Sequence, residues 1–250
     1  MEALPSLRVI AINGVGYDKV DLEMARRRQV HVTITPGTLM EDVADLAVGL
    51  IIALLRQIPA SDAHVRAGAW PTAERPLARR VSGRRFGVLG LGQIGGAIAA
   101  RLAAFGPVAY TARSPKPVAY DFHADAAALA RASDVLVVAC SANEATRRMV
   151  DAAVLEALGP SGWLVNVSRG SVVDETALIE ALEAGRIAGA ALDVFEAEPL
   201  APEALRTSAR VVLTPHIASA TVEARQAMAE LVLANLDAFL RGERPPSAVV

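Results

Sequence analysis

The sequence predicts an α/β protein organised around a doubly wound parallel sheet, and three observations predict it. An apolar strand, Phe86-Gly-Val-Leu89, runs straight into Gly90-Leu-Gly92-Gln93-Ile94-Gly95 and then into an alanine-rich helix. From there to residue 214, short aliphatic strands alternate with helical segments, the rhythm of repeated βαβ units. Hydrophobic residues make up 53% of the chain but aromatics only 4%. The core must therefore be built from Ala, Val, Leu and Ile, which suits stacked strands and helices better than a β-sandwich.

The bulk numbers exclude several classes of function. With 250 residues the chain has room for one large or two small domains. Its 25 basic and 27 acidic residues, a net charge of −2, give no overall drive toward nucleic acid or an anionic membrane. A single cysteine, Cys140, excludes an internal disulfide framework, and no Cys/His cluster has the spacing of a metal site. The N-terminal stretch lacks a basic segment, and Arg8 interrupts its apolar run, so a secretory leader is not expected. The longest uncharged apolar run, residues 46–55, is far short of the roughly 20 residues a membrane span needs. A cytoplasmic protein is expected.

In chain order, residues 7–12 read as a strand, and Asn13-Gly-Val15-Gly16-Tyr-Asp18 as a turn whose glycines leave N–H groups open to a carboxylate. A helix over 20–29 and a strand over 30–35 follow, closed by Pro36-Gly37. Residues 41–58 carry apolar side chains nearly all round at helical spacing, predicting a helix buried either as a link between domains or in a subunit interface. Pro59 breaks it, and the Arg- and Pro-rich stretch 60–82, with Trp70, reads as an irregular arm.

The glycine stretch comes next. Gly90 permits a tight turn, Gly92 lets backbone approach a pyrophosphate, Gly95 lets helix and strand pack closely, and Gln93 and Ile94 open the helix whose N–H groups face the anion. After the second strand, 108–111, a carboxylate about 20 residues beyond the first glycine would bind the ribose of NAD. Here Tyr110-Thr-Ala-Arg113-Ser114 has none before Asp121. Arg113 and Ser114 instead suit a ribose 2′-phosphate, favouring NADP over NAD.

Helices over 126–131, 151–158 and 174–184 alternate with strands over 134–140, 163–167, 187–194 and 211–214, and a long helix over 221–240 precedes an extended tail. Arg169, Glu198 and His216 each fall beyond a strand's carboxyl end, and Asp193 lies at the end of the strand before Glu198, where open α/β sheets bind ligands. A guanidinium clamps a carboxylate, and a carboxylate beside an imidazole fixes its tautomer and stabilises its protonated form. Those parts, with hydride from a nicotinamide, reduce a 2-oxo acid.

Taken together, Gly90-x-Gly92-x-x-Gly95, Asn166-Val-Ser-Arg169-Gly170, Asp193-Val-Phe-Glu-Ala-Glu198-Pro199 and Pro215-His216-Ile-Ala-Ser219 resemble the D-isomer-specific 2-hydroxyacid dehydrogenase family over nearly the whole chain. Within it, the Asn13–Asp18 turn and the Arg113-Ser114 pair are most similar to NADP-dependent glyoxylate and hydroxypyruvate reductases. The resemblance implies a Rossmann dinucleotide-binding domain at 46–217, including linker helix and arm at 46–82. A smaller flavodoxin-like substrate domain would be formed by 1–45 and 218–250. It implies Arg169 as the substrate-binding arginine, His216 as the acid/base and Glu198 as its partner, Asp193 on the nicotinamide carboxamide, and Val15, Gly16 and Ser219 on the substrate. A homodimer is also implied. In one respect the chain departs from the family: Leu4-Pro-Ser-Leu-Arg-Val-Ile-Ala-Ile resembles a point well inside the substrate domain, so that domain's first elements are expected to be missing. Two rival expectations follow, a nucleotide-binding regulatory protein and a catalytically impaired short form.

Overall fold

The computed structural model describes Met1 and residues 3–250. The chain divides into two compact units, Met1–Asp42 with Ser219–Val250, and Val43–Ala218.

The smaller unit begins with β1 (Val9–Ala11), α1 (Leu22–Arg27) and β2 (His31–Thr33), the two strands pairing in parallel with Val9 opposite His31. Asp21 caps α1 by accepting the Met24 N–H at 2.9 Å, and Glu23 and Arg26–Arg27 complement its dipole. Ala25, Val30 and Val32 form its buried centre. His31, a strand residue, packs edge-on against Phe239, 5.5 Å between ring centres.

In α2 (Met40–Leu55) seven apolar residues are buried. The expected arm is not wholly irregular, because α3 (Ile58–Arg66) occupies its start. Pro59 does end α2, but proline is tolerated in a helix's first turn, where no N–H partner is needed, and Gln57 in left-handed conformation (φ 53°) makes the corner. Beyond it Trp70 and Leu77 are 70% and 95% exposed.

The larger unit is built on seven strands: β3 (Phe86–Leu89), β4 (Val108–Thr111), β5 (Asp121–Phe122), β6 (Val135–Val138), β7 (Trp163–Asn166), β8 (Gly189–Leu192) and β9 (Val211–Leu213). They lie in the order β5-β4-β3-β6-β7-β8-β9, all parallel. The chain runs outward one way from β3 through β4 and β5, then returns to β6 and runs the other way, so the order reverses between β3 and β6. That is the doubly wound arrangement, with its ligand-binding crevice at the reversal. β3 and β6 are buried at every residue, as strands covered on both faces must be. The connecting helices are α4 (Gln93–Leu102), α5 (Ala126–Arg131), α6 (Ala152–Leu158), α7 (Glu175–Glu183) and a short α8 (Glu203–Thr207). Leu129, Leu155 and Leu178 from three of these helices close over Leu136 and Leu164 of the sheet.

The last helix, α9 (Val222–Leu240), returns to the smaller unit, capped by Thr221, whose side chain also bonds Asp42 at 2.5 Å. The tail that follows is ordered. Val249 donates to Val32 at 2.8 Å, and buried Asn235 holds Ser247 through its amide at 2.7 Å and its carbonyl oxygen at 3.0 Å.

Candidate active site

At the sheet's reversal the two glycines nearest the turn are fixed by packing. A side chain on Gly90 (φ 100°) would come within 2.5 Å of the Cys140 Cα, and one on Gly95 within 1.9 Å of the Gly90 carbonyl oxygen. Gly92 is different, since nothing lies within 4 Å of where its side chain would be. It caps α4 without a side-chain acceptor, whereas α5, α6 and α7 are each capped by an aspartate. The N–H groups of Gly92, Gln93, Ile94 and Gly95 accordingly have no protein acceptor among the described residues. An exposed glycine over a free helix N-terminus is what a pyrophosphate requires.

Arg113 and Ser114 lie exposed in the turn after β4. Buried Tyr110 shapes that turn, its hydroxyl accepting the Lys116 N–H at 2.6 Å. No carboxylate pairs with Arg113 among the described residues, leaving the guanidinium open to a phosphate. Cys140, beside Gly90, has its thiol pushed up to about 11 by burial, which makes it a packing residue and not a nucleophile.

The three residues of the catalytic expectation stand after three adjacent strands. Arg169 follows β7, where Asn166 braces the turn: its side-chain amide donates to the Arg169 carbonyl at 3.0 Å and its oxygen accepts the Ser168 N–H at 3.0 Å. Gly170 has no room for a side chain, which would meet the Phe195 carbonyl carbon at 2.0 Å. That close approach sets the Arg169 turn against the loop after β8. Glu198, in that loop, receives the Phe195 N–H on Oε1 at 3.1 Å and meets His216 Nδ1 with Oε2 at 2.8 Å. His216, after β9, is in left-handed backbone conformation (φ 55°), an uncommon state for a residue with a side chain and one found at functional sites. With Nδ1 engaged by Glu198, Nε2 is the nitrogen left to exchange a proton with a substrate.

Asp193 is held by the segment that follows β9. It has no exposed surface, and its carboxylate accepts the Thr214 hydroxyl at 2.6 Å and the Ile217 and Ala218 N–H groups at 2.9 Å each. Its own carbonyl receives the His216 N–H at 2.8 Å. Asp193 anchors the loop that carries His216.

Around this core is a polar bracket that local sequence did not reveal. Arg148 spans Asp174 (3.8 Å) and Glu196 (3.4 Å), and Glu175 accepts the Glu196 N–H at 3.3 Å. In the smaller unit, the Val15 and Gly16 N–H groups have no acceptor among the described residues, and Ser219 is half-buried at the start of the returning segment. Among the described residues no group of His, Cys, Asp or Glu is arranged to hold a metal ion, and no single helix is long and apolar enough to cross a membrane.

The model of the D-isomer specific 2-hydroxyacid dehydrogenase NAD-binding domain matches residues 48–218, the region that contains every element of this site in the larger unit. The chain belongs to the D-isomer-specific 2-hydroxyacid dehydrogenase family. It is 49% identical over 249 residues to glyoxylate/hydroxypyruvate reductase A of Arabidopsis thaliana, covering 99% of this chain and 80% of that protein. It is 47% identical over 245 residues to the hydroxyphenylpyruvate reductase of Plectranthus scutellarioides, covering 97% and 78%. Among solved structures, the NADPH-dependent glyoxylate/hydroxypyruvate reductase of Sinorhizobium meliloti, in complex with NADP and malonate, superposes with a TM-score of 0.97 at 46% identity, over all of this chain and 80% of that one. The dehydrogenase family thus accounts for the parallel sheet of the larger unit.

Proposed function

We propose that this dehydrogenase reduces a small 2-oxo acid, glyoxylate or hydroxypyruvate, to the D-2-hydroxy acid with NADPH. The observation that carries the reading is the Glu198–His216 pair held at 2.8 Å, at the end of the same sheet on which Arg169 follows β7. Similarity to the Arabidopsis and Sinorhizobium reductases supports the substrate class and the cofactor.

Gly92 to Gly95 and the open N-terminus of α4 suit the pyrophosphate, and Arg113 with Ser114 suits the 2′-phosphate. NADPH, when bound, supplies a hydride. His216 gives a proton from Nε2 to the carbonyl oxygen of the substrate, and Glu198 stabilises the imidazolium before that transfer. Arg169 holds the substrate and draws electron density toward that oxygen. The free Val15 and Gly16 amides suit a carboxylate oxygen, and Ser219 is assigned to substrate as well. The exposed side chains of Ile58, Val65, Trp70 and Leu77 on α3 and the arm support a homodimer. A cytoplasmic setting accords with the single free thiol.

The test is NADPH oxidation by the purified chain with glyoxylate, hydroxypyruvate and hydroxyphenylpyruvate, beside Arg169→Ala. Turnover of the first two that the variant loses is expected. Preference for the aromatic acid, which the Plectranthus relative makes the second reading, would replace the substrate assignment. Turnover unchanged in the variant would overturn the catalytic one.

A further inference from the structure

At the amino ends of β7 and β8, the edge of the sheet opposite Arg169 and His216, lies a cavity of about 450 Å³ lined by Arg79, Arg84 and Arg210. Trp163, at the start of β7, forms part of its wall, and Ser161 adds a hydroxyl. No carboxylate lines it, and none of the three arginines belongs to an ion pair among the described residues. Asp134, whose charge interacts with that of Arg84, is committed to Arg85, accepting its N–H at 2.9 Å and its guanidinium at 2.8 Å.

Like charges gathered around a concave surface repel one another, and the low-dielectric walls strengthen the effect. Helix capping accounts for only part of the gathering. Arg210 donates from one nitrogen to the Leu182 carbonyl at the end of α7, and Arg84 donates its Nε to the Arg80 carbonyl at 3.1 Å. Arg79 makes no side-chain hydrogen bond among the described residues. The backbone beneath them is fixed: the Arg79 N–H bonds the Leu55 carbonyl at 2.9 Å, Val81 is buried, and the Gly83 N–H bonds the Phe105 carbonyl at 2.7 Å. The guanidinium groups therefore rise from anchored segments around a volume in the range of small-molecule sites.

We infer that this cavity is a second anion site, separate from those for dinucleotide and 2-oxo acid, and that it takes a small polyphosphate, free or carried by a nucleotide. Guanidinium groups match phosphate oxygens in two-pronged fashion, three of them meet a chain of several phosphates, and Trp163 gives an attached base an aromatic wall.

The experiment is calorimetric titration of the full chain with tripolyphosphate and with ATP, each in the presence and absence of saturating NADPH. One equivalent is expected to bind in both conditions, and Arg79→Ala and Arg210→Ala should each weaken it by about tenfold. The Arg79 side chain carries no hydrogen bond among the described residues, and its main-chain bond to Leu55 survives the substitution, so the variant tests the site without disturbing the fold. Arg113→Ala, which alters the dinucleotide site, should leave this binding unchanged. Tighter binding of ATP than of tripolyphosphate assigns the site to nucleotides, and equal binding to the phosphate chain alone. Absence of binding at millimolar ligand, competition by NADPH, or equal affinity in wild type and Arg79→Ala overturns the proposal.

Discussion

Glu198 Oε2 and His216 Nδ1 meet at 2.8 Å although the residues belong to loops after different strands, β8 and β9. The carboxylate is itself held, because its other oxygen receives the Phe195 N–H. The imidazole is thereby fixed in ring orientation and tautomer before substrate arrives. Glu198→Gln preserves size but replaces a charged acceptor by an amide. We expect kcat to fall by about 10- to 100-fold with little change in substrate KM, since the loss falls on proton transfer. Steady-state kinetics decide it, and an unchanged kcat would remove Glu198 from the mechanism.

Arg113 stands exposed after β4 with no carboxylate partner. Arg113→Ala should raise KM for NADPH by about tenfold or more, the worth of a charge-assisted contact, and leave NADH nearly unaffected. Equal effects on both cofactors would show that this turn does not read the 2′-phosphate.

The buried Asp193 carboxylate holds three donors of the segment that carries His216. In Asp193→Asn an NH₂ group must face at least one of those N–H or O–H donors, so one buried contact is lost and the loop shifts. The expected cost is about 1–3 kcal/mol of stability. Activity should fall as well, because the loop fixes the His216 main chain. Thermal unfolding and kcat measured on the same preparation test this; a stable variant with full activity would deny the anchoring role.

What was legible in the sequence follows from how local each signal is. Gly90, Gly92 and Gly95 stand at fixed offsets between an apolar strand and a helix, so the turn could be read from the chain alone, and the aliphatic strands gave away the parallel sheet. Pro59 misled because a proline that ends one helix also fits the first turn of the next, and the two look alike until the corner at Gln57 is seen. β5 has only two residues and both are exposed, so no periodicity marks it. In the site, Arg169, Glu198 and His216 could be proposed from their positions after strands. The inward turn of Asp193 could not, because its three donors come from residues 214–218, beyond the neighbouring strand β9. The Arg148, Glu175 and Glu196 bracket escaped for the same reason, its members lying 21 to 48 positions apart.

Glu175 belongs to that bracket and gives a pH signature. Burial raises its pKa above the ordinary value, and the neighbouring Glu196 charge adds to this, while the hydrogen bond from the Glu196 N–H opposes both without cancelling them. A carboxyl whose pKa is higher folded than unfolded holds its proton longer in the native state. Its ionisation therefore lowers stability as pH rises from the unfolded value of 4.5 through the raised folded value, and the penalty persists above it. Glu175→Gln keeps an oxygen to accept the Glu196 N–H and removes the charge. The variant should be the more stable protein at pH 7, by less than about 1 kcal/mol because the group is partly exposed. The gain should shrink as pH falls and vanish below 4.5, where the native carboxyl is neutral in both states. Thermal unfolding of the two proteins between pH 4 and 8 reads this directly. A variant less stable at pH 7, or a gain that grows toward acid, would mean that the Glu175 charge supports the loop more than it strains it.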